Sequence, residues 1–224
     1  MTLFFHGVTE KIIDSDIQGV HLDIKTFEAV IHFLRKHFLI IGVDEYVEAV
    51  KNGTELPSNA AMLQFDDGYA NNLYTVQPFL KALDVPFSVY LSTRHVSENF
   101  RFPTYLARVA LKYTEYKDFR IHGVGKEVSN YDNNDWEKLY FSHVKEYLKT
   151  ACLEDVQKMV DDLQKLLKPH VWEEKNDLFS SDQPLNWEEA KLLSERGAVV
   201  GAHCHDHCIL HAGQPDQEVI KQIT

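Results

Sequence analysis

The sequence predicts an α/β fold built on mostly parallel strands, with a helical insertion. Three observations support this prediction. Short β-rich runs alternate with amphipathic helical patterns over about the first 95 residues. Between about residues 97 and 182 the sequence instead has the pattern of charged amphipathic helices. The alternation of strands and helices returns after residue 185. Strands that alternate with helices at this spacing favour βα units and a parallel sheet or barrel.

The first part of the chain contains four predicted strands and three predicted helices. The strands are expected at residues 2–7, 38–43, 60–67 and 85–92. The helices are expected at Ile24–His37, at 44–51 and at 71–83. In the first helix, apolar residues from Phe27 to Leu34 recur at the spacing of one helix face. Asp44 is the predicted N-cap of the second helix.

The middle of the chain, about 97–182, is predicted to be an insertion of amphipathic helices. A hairpin is expected at 119–128, and the clearest helices at 135–150 and 153–169, the second ending at Pro169. A partner helix for a coiled coil is the alternative, but the apolar period does not persist for the three or four heptads required. Because the insertion follows a strand, it could form a wall or lid over a site there.

The last part of the chain returns to the βα pattern. A helix at 186–197 closed by Gly197 is followed by a strand at 198–203 and a helix after Pro215. The predicted strands then number five, whereas closing a barrel takes about eight. An incomplete barrel or open sheet is therefore expected. Its unpaired edge would favour self-association.

Composition and charge narrow the class of protein. The 224 residues include 23 Lys and Arg against 34 Asp and Glu, for a net charge of −11. Such an acidic balance disfavours nucleic-acid binding, which needs a basic surface. No apolar run approaches the ~18 residues of a membrane span, and the N-terminus has no signal-peptide pattern, so a cytoplasmic location is expected. Three cysteines do not make a disulfide framework.

Polar residues follow three of the predicted strands where each strand ends. His6 follows the first, Asp66 and Asp67 follow the third, and a histidine-rich segment at 203–208 follows the fifth. In parallel βα folds, functional groups collect at these strand ends. The two aspartates could merely shape a turn before Gly68. Alternatively, one carboxylate binds a cation while the other stays free as a base. His6 is either a buried packing residue or part of the cavity wall.

The segment HCHDHC at 203–208 is the stronger signal for a metal. His203 and His207 are four residues apart, so on a helical turn both imidazoles can share one ion. The alternatives are a solvated polar loop, or a closed structural zinc site that uses Cys204 and Cys208. A closed site usually needs a second pair of ligands elsewhere, which the sequence lacks. An open site with Asp67 as third ligand and a position for water is therefore favoured.

Two blocks of the sequence carry a resemblance to a known family. QFDDGYANN followed by FLKALDVPFSVYLST resembles the first signature block of the polysaccharide deacetylase family, also called carbohydrate esterase family 4 or the NodB-homology domain. LNWEEAKLLSERGAVVGAHCHDHCIL resembles the second block. The opening FFHGV is similar to the start of the branch found in bacterial surface-polysaccharide genes. The family's later blocks are not seen, so the C-terminal part of the domain is expected to be missing.

This resemblance implies a deformed (β/α) barrel, incomplete here, as a single domain over residues 1–224 with the insertion at about 97–182. It implies a divalent metal, usually Zn²⁺, held by Asp67, His203 and His207, with Asp66 as the general base. The implied reaction removes acetyl groups, most often N-acetyl, from an amino-sugar glycan or its precursor. His6 is a candidate contact for this carbohydrate substrate because of its position at the end of the first strand, and not because of the resemblance.

The sequence departs from the family pattern at three positions beside these residues. Gln64 stands where the family usually has threonine. Cys204 replaces a serine or threonine, and Cys208 replaces a proline. Two other functions therefore stay open: a non-catalytic metal- or glycan-binding remnant of the fold, and a cysteine-containing zinc storage or redox site.

Overall fold

The computed structural model of the protein describes residues 1–125, 127–210 and 213–223. The chain divides into two units, and each unit has its own hydrophobic cluster. The first unit comprises Met1–Phe100 and Ser181–His203, and the second comprises Arg101–Ser180 and Cys204–Thr224.

The strands and helices have the following bounds. The strands are β1 (Thr2–Phe5), β2 (Gly7–Thr9), β3 (His21–Asp23), β4 (Leu39–Ile40), β5 (Ala60–Phe65), β6 (Ser88–Leu91) and β7 (Val199–Ala202). The α-helices are α1 (Ile24–His37), α2 (Val43–Asn52), α3 (Gln77–Ala82), α4 (Thr93–Glu98), α5 (Pro103–Tyr113), α6 (Trp136–Leu139), α7 (Lys145–Thr150), α8 (Leu153–Lys165), α9 (Pro169–Leu178), α10 (Trp187–Glu195) and α11 (Asp216–Ile223). Short π-helical segments lie at Asn72–Val76 and at Tyr140–Val144. None of the described helices is both long and apolar enough to cross a membrane.

The sheet of the first unit is parallel, as the sequence predicts. Its strand order is β1-β5-β6-β7, and β4 also pairs with β5. A second, two-stranded parallel ladder joins β2 and β3. All the described pairings between these seven strands are parallel, and in the described part of the chain the sheet does not close into a barrel. Self-association through its edge stays a prediction.

The hydrophobic cluster of the first unit lies between this sheet and its helices. The apolar face predicted for α1 is confirmed, since Phe27, Ile31 and Leu34 are buried. The ring of Phe27 meets that of Phe65 on β5 edge to face, with centroids 5.9 Å apart, and Phe5 stacks on Phe65 at 5.3 Å. Such aromatic contacts add to the free energy gained by burying the rings. These contacts stabilise the register in which β1 pairs with β5.

The start of α2 differs from the sequence prediction. Its N-cap is Gly42 and not Asp44, which lies in the first turn of the helix. A carboxylate in that turn still interacts favourably with the positive end of the helix dipole. The acidic residue therefore indicated the correct end of the helix but not the residue that caps it.

The second unit is built from the predicted amphipathic helices. Its buried cluster includes Leu111 on α5, Tyr140, and Met159 on α8. The predicted hairpin is present as an antiparallel pair, with Phe119 and Val128 donating to each other's carbonyl oxygens at 3.0 and 2.9 Å. Residue 126, in the same predicted hairpin, lies outside the described residues.

Pro169 begins a helix and does not end one. The helix α8 ends at Lys165, and Pro169 occupies the first position of α9. Proline suits that position because the missing N–H would have no partner inside the helix. The prediction that Pro169 ends the helix was wrong by four residues, because the chain turns at Leu166 before it reaches the proline.

Candidate metal centre

The carboxyl ends of four parallel strands are joined by backbone hydrogen bonds in the first unit. The Asp66 N–H donates to the Phe5 carbonyl at the end of β1, at 2.9 Å. The Ser92 N–H, just after β6, donates to the Asp67 carbonyl at 3.2 Å. The His203 N–H, just after β7, donates to the Leu91 carbonyl at 2.7 Å. The parallel register thus brings the two aspartates and His203 to one edge of the sheet.

The turn after β5 has an unusual backbone. Asp67 has φ of 74° and Gly68 has φ of 82°, both in the left-handed region. Aspartate enters this region more easily than most residues, and glycine enters it without steric cost. A Cβ on Gly68 would also lie 2.5 Å from Leu91 Cδ2. Gly68 is therefore needed for the turn itself, and aspartate at position 67 is compatible with the turn.

Asp67 and His203 face each other across this edge. Asp67 Oδ1 lies 3.8 Å from His203 Nε2, and the Asp67 side chain is 6% exposed against 38% for His203. Together with His207 they form a group whose ligand atoms all lie within 4.8 Å of one another. The group in the described part of the chain includes neither thiol of the 203–208 segment.

The donor chemistry of this group fits a divalent cation. One carboxylate and two imidazoles form the ligand set of many hydrolytic zinc sites. Ligand atoms bound at about 2.0–2.2 Å to one ion lie clearly closer together than 4.8 Å, so the three side chains would draw together on binding it. A fourth position then stays open for water or substrate.

The segment that carries His207 is strained at two residues. Cys204 has φ of 60° and His207 has φ of 54°. The His207 ring meets the Phe102 ring edge to face, with centroids 5.1 Å apart. Cys204 and Cys208 are free, half-buried thiols, and burial raises the pKa of Cys208. That burial favours the neutral thiol over the thiolate that a metal ligand requires.

Gln64, one of the positions that depart from the family pattern, contacts the carboxylate of Asp66. Gln64 Nε2 donates to Asp66 Oδ1 at 3.1 Å. The two side chains lie on the same side of the strand because they are two residues apart. Threonine, which the family usually has at this position, is too short to make this contact in the same way.

His6, the remaining predicted site residue, lies between β1 and β2 and is half-buried. Its backbone is fixed by the pairing of Phe5 with Phe65 on one side and of Gly7 with His21 on the other. Its contact with a substrate stays a prediction.

A buried polar network beside the carboxylate turn was not predicted from the sequence. His21 Nε2 lies 3.2 Å from Asp182 Oδ1, with side chains 0% and 2% exposed. His21 Nδ1 lies 3.4 Å from Asn71 Nδ2, and Asn71 Oδ1 accepts from the Val8 N–H at 3.3 Å. The network ties the helical segment after the carboxylate turn to the ladder of β2 and β3. Its members are far apart in sequence, so no local pattern could reveal it.

Comparison with known proteins identifies the family. Residues 53–224 match the polysaccharide deacetylase family, so the chain belongs to this family, as the sequence blocks predict. A search of curated proteins for similar sequences found no match.

Solved structures of deacetylases are similar to this chain at low identity. The BpsB deacetylase domain from Bordetella bronchiseptica is 15% identical, with a TM-score of 0.39 over 92% of this chain and 54% of that one. A de-N-acetylase from Aggregatibacter actinomycetemcomitans is 11% identical, with a TM-score of 0.39 over 93% and 96%. The deacetylase PplD from Streptococcus pyogenes, in complex with acetate, is 10% identical, with a TM-score of 0.36 over 100% and 97%. The chain thus spans about half the length of the Bordetella chain.

Proposed function

We propose that this protein is a metal-dependent deacetylase that removes acetyl groups, chiefly N-acetyl, from an amino-sugar glycan or its precursor. Membership of the polysaccharide deacetylase family supports deacetylation of a glycan. The single observation that carries the metal-dependent reaction is the group of Asp67, His203 and His207, whose ligand atoms lie within 4.8 Å of one another. These are the same three residues to which the family pattern assigns the metal.

Asp67, His203 and His207 would hold the ion, which we propose is Zn²⁺. When bound, the ion supplies a Lewis acid that polarises the acetyl carbonyl and makes a water easier to deprotonate. Asp67 is the buried member of the group, so its carboxylate offers a fixed first ligand. His203 is more exposed and leaves a solvent path for substrate.

Asp66 is the proposed general base. It accepts a proton from water as the water oxygen bonds to the acetyl carbon, and the C–N bond of the amide then breaks. The products are acetate and a free amine on the sugar, with the transferred proton going to the leaving nitrogen. Gln64 would keep the Asp66 carboxylate in one orientation through its hydrogen bond to Oδ1. His6 would contact the sugar beside this carboxylate.

Acetate release from N-acetylglucosamine oligomers tests the activity. The metal-free protein is incubated with the oligomers, with and without added Zn²⁺ or Co²⁺, and acetate is measured. We expect release only with metal, and none from Asp66→Asn although that variant binds the ion as the wild type does. Metal binding without turnover on any acetylated sugar would instead favour the non-catalytic metal- or glycan-binding remnant.

The ligand assignment has its own test with a matched control. Asp67→Ala and His207→Ala should each lose Zn²⁺ binding in a chelator competition, whereas His205→Ala should retain it. His205 is a neighbouring histidine outside the group of ligand atoms. Equal losses from His205→Ala and His207→Ala would contradict the assignment.

The two thiols are tested separately. If the site is a cysteine-containing zinc store, the double variant Cys204→Ser with Cys208→Ser should destroy Zn²⁺ binding. We expect binding to be largely retained, because neither thiol belongs to the described ligand group.

A further inference from the structure

The last helix is attached to the segment of His207 by a reciprocal pair of hydrogen bonds. The Asp206 N–H donates to Gln222 Oε1 at 2.7 Å, and Gln222 Nε2 donates to Asp206 Oδ2 at 2.8 Å. Asp206 is 6% exposed and Gln222 is 4% exposed. A side-chain amide that satisfies both the backbone and the carboxylate of one residue fixes that residue in position and orientation.

The segment needs such a fixed point because its backbone is strained. Cys204 and His207, with φ of 60° and 54°, lie on either side of Asp206 in a region that non-glycine residues seldom adopt. Such a conformation persists only where the surrounding contacts over-determine it. Asp206 directly precedes His207, so a bond that holds the Asp206 backbone also limits where the next imidazole can point.

A nearby lysine gives less support than the glutamine. Lys221 Nζ lies 3.6 Å from Asp206 Oδ2, but its side chain is 57% exposed. Exposed pairs of this kind contribute little because water and salt screen them. The two buried bonds from Gln222 therefore restrain Asp206 more than the contact with Lys221 does.

We infer that Gln222 is a positioning residue that keeps His207 in the geometry of a metal ligand by bonding to Asp206 twice. The inference rests on the proposed metal site. Partners that orient a ligand from outside the coordination sphere commonly change metal affinity 10–100-fold when removed. Such a residue was not foreseeable from the HCHDHC segment, since Gln222 lies on a separate helix.

Zinc affinity of the metal-free full chain tests the inference. It is measured by competition with a chromophoric chelator for the wild type, Gln222→Ala and the control Gln217→Ala. Gln217 is an exposed glutamine on the same helix. We expect Gln222→Ala to bind Zn²⁺ about 10–100-fold more weakly and Gln217→Ala to bind it as the wild type does.

Variants at Asp206 distinguish the loss of these hydrogen bonds from a loss of folding. Asp206→Asn keeps an oxygen to accept from Gln222 Nε2 and keeps the backbone N–H, so its zinc affinity should stay within about threefold of the wild type. Asp206→Ala loses the bond from Gln222 Nε2 but keeps the backbone N–H that donates to Gln222 Oε1, so it should lose less affinity than Gln222→Ala. The losses of the two single variants should not add in the double alanine variant, because the bond between the two side chains is removed by either substitution. Far-UV circular dichroism confirms that each metal-free variant is folded.

The outcomes separate the inference from the proposed function. A wild-type chain that binds no Zn²⁺ refutes the metal site itself. Wild-type affinity in a folded Gln222→Ala protein that only melts at a lower temperature would overturn the inference, because the glutamine would then merely stabilise the fold. Additive losses in the double variant would also overturn it.

Discussion

The side chains around Gly7 leave no room for a larger residue at this position. A Cβ at this position would lie 2.1 Å from His21 Nδ1 and 2.8 Å from Asn71 Nδ2. Both neighbours belong to the buried network around Asp182, so neither can move aside without breaking other contacts. The glycine is thus needed because of close approach between two ladder strands and the segment after the carboxylate turn.

We therefore expect Gly7→Ala to lower the free energy of unfolding by about 2 kcal/mol, in the range typical of overpacked interiors. Urea denaturation measures the difference. The control is Gly42→Ala, where the nearest atom to the added Cβ is Pro86 Cβ at an ordinary 3.7 Å. Equal destabilisation by the two substitutions would contradict the steric explanation.

Gln64 is a residue whose effect should appear in turnover and not in metal binding. Its amide donates to Asp66, the proposed base, and not to the proposed ligand Asp67. We expect Gln64→Ala to lower kcat for acetate release about tenfold while Zn²⁺ affinity stays unchanged, since orientation of a base contributes to the chemical step. Steady-state kinetics with a parallel chelator competition measure both quantities. A matching fall in Zn²⁺ affinity would show that Gln64 acts on the ligand turn instead.

The proposed site residues lie in short sequence patterns and could be proposed from the sequence, whereas the buried polar pairs between distant segments could not. Asp66, Asp67, His203 and His207 form two local patterns at strand ends, so the sequence predicts them. The pair of His21 with Asp182 and the pair of Asp206 with Gln222 depend on how separate segments meet. A single glutamine or histidine on a helix or strand gives no sign of such a partner.

At the scale of elements, a short capping motif sets the residue at which α10 begins. Asn186 Oδ1 accepts from the Glu189 N–H at 2.9 Å, and the Asn186 N–H donates to Glu189 Oε2 at 2.8 Å. This reciprocal capping box satisfies two backbone N–H groups that the first turn of the helix would otherwise leave unbonded. The helix it begins leads through Gly197 into β7 and then to His203.

We expect Asn186→Ala to lower the free energy of unfolding by about 1 kcal/mol, the usual cost of removing an N-cap side chain. Asn186→Ser should lose much less, because a hydroxyl oxygen can accept the same bond. Chemical denaturation of the two variants beside the wild type measures the difference. Similar losses in both would mean that the cap contributes through packing and not through its hydrogen bond.

Element prediction succeeded where the pattern was long and failed where it was short. The helix α1 has fourteen residues with one apolar face, and its bounds were predicted correctly at Ile24–His37. The strands β2 and β3 have three residues each, too few for an alternating pattern to be recognised, and they exist because the chain brings them side by side. Both helix-end errors, at Asp44 and at Pro169, concern residues whose favoured position lies just inside a helix.

At the scale of the whole molecule, each unit has a hydrophobic cluster that does not depend on the proposed ligands. The cluster of the first unit is formed by apolar side chains of the sheet and its helices, and that of the second by apolar side chains of α5, α8 and their neighbours. Asp67 lies in the turn after β5, and His203 and His207 follow β7. A bound ion would therefore order loops without creating either core.

Removal of the metal should consequently lower the melting temperature without unfolding the protein. Zinc at about a thousand times its Kd adds roughly 4 kcal/mol by mass action, and each kcal/mol moves the melting temperature of a chain of this size by about 2–4 °C. We expect chelation to lower the melting temperature by about 10 °C while the far-UV circular dichroism spectrum at 25 °C stays the same. Asp67→Ala is the control, because its melting temperature should not respond to zinc or chelator. Loss of the helical signal at 25 °C on chelation would show instead that the ion is part of the folded core, as in small structural zinc domains.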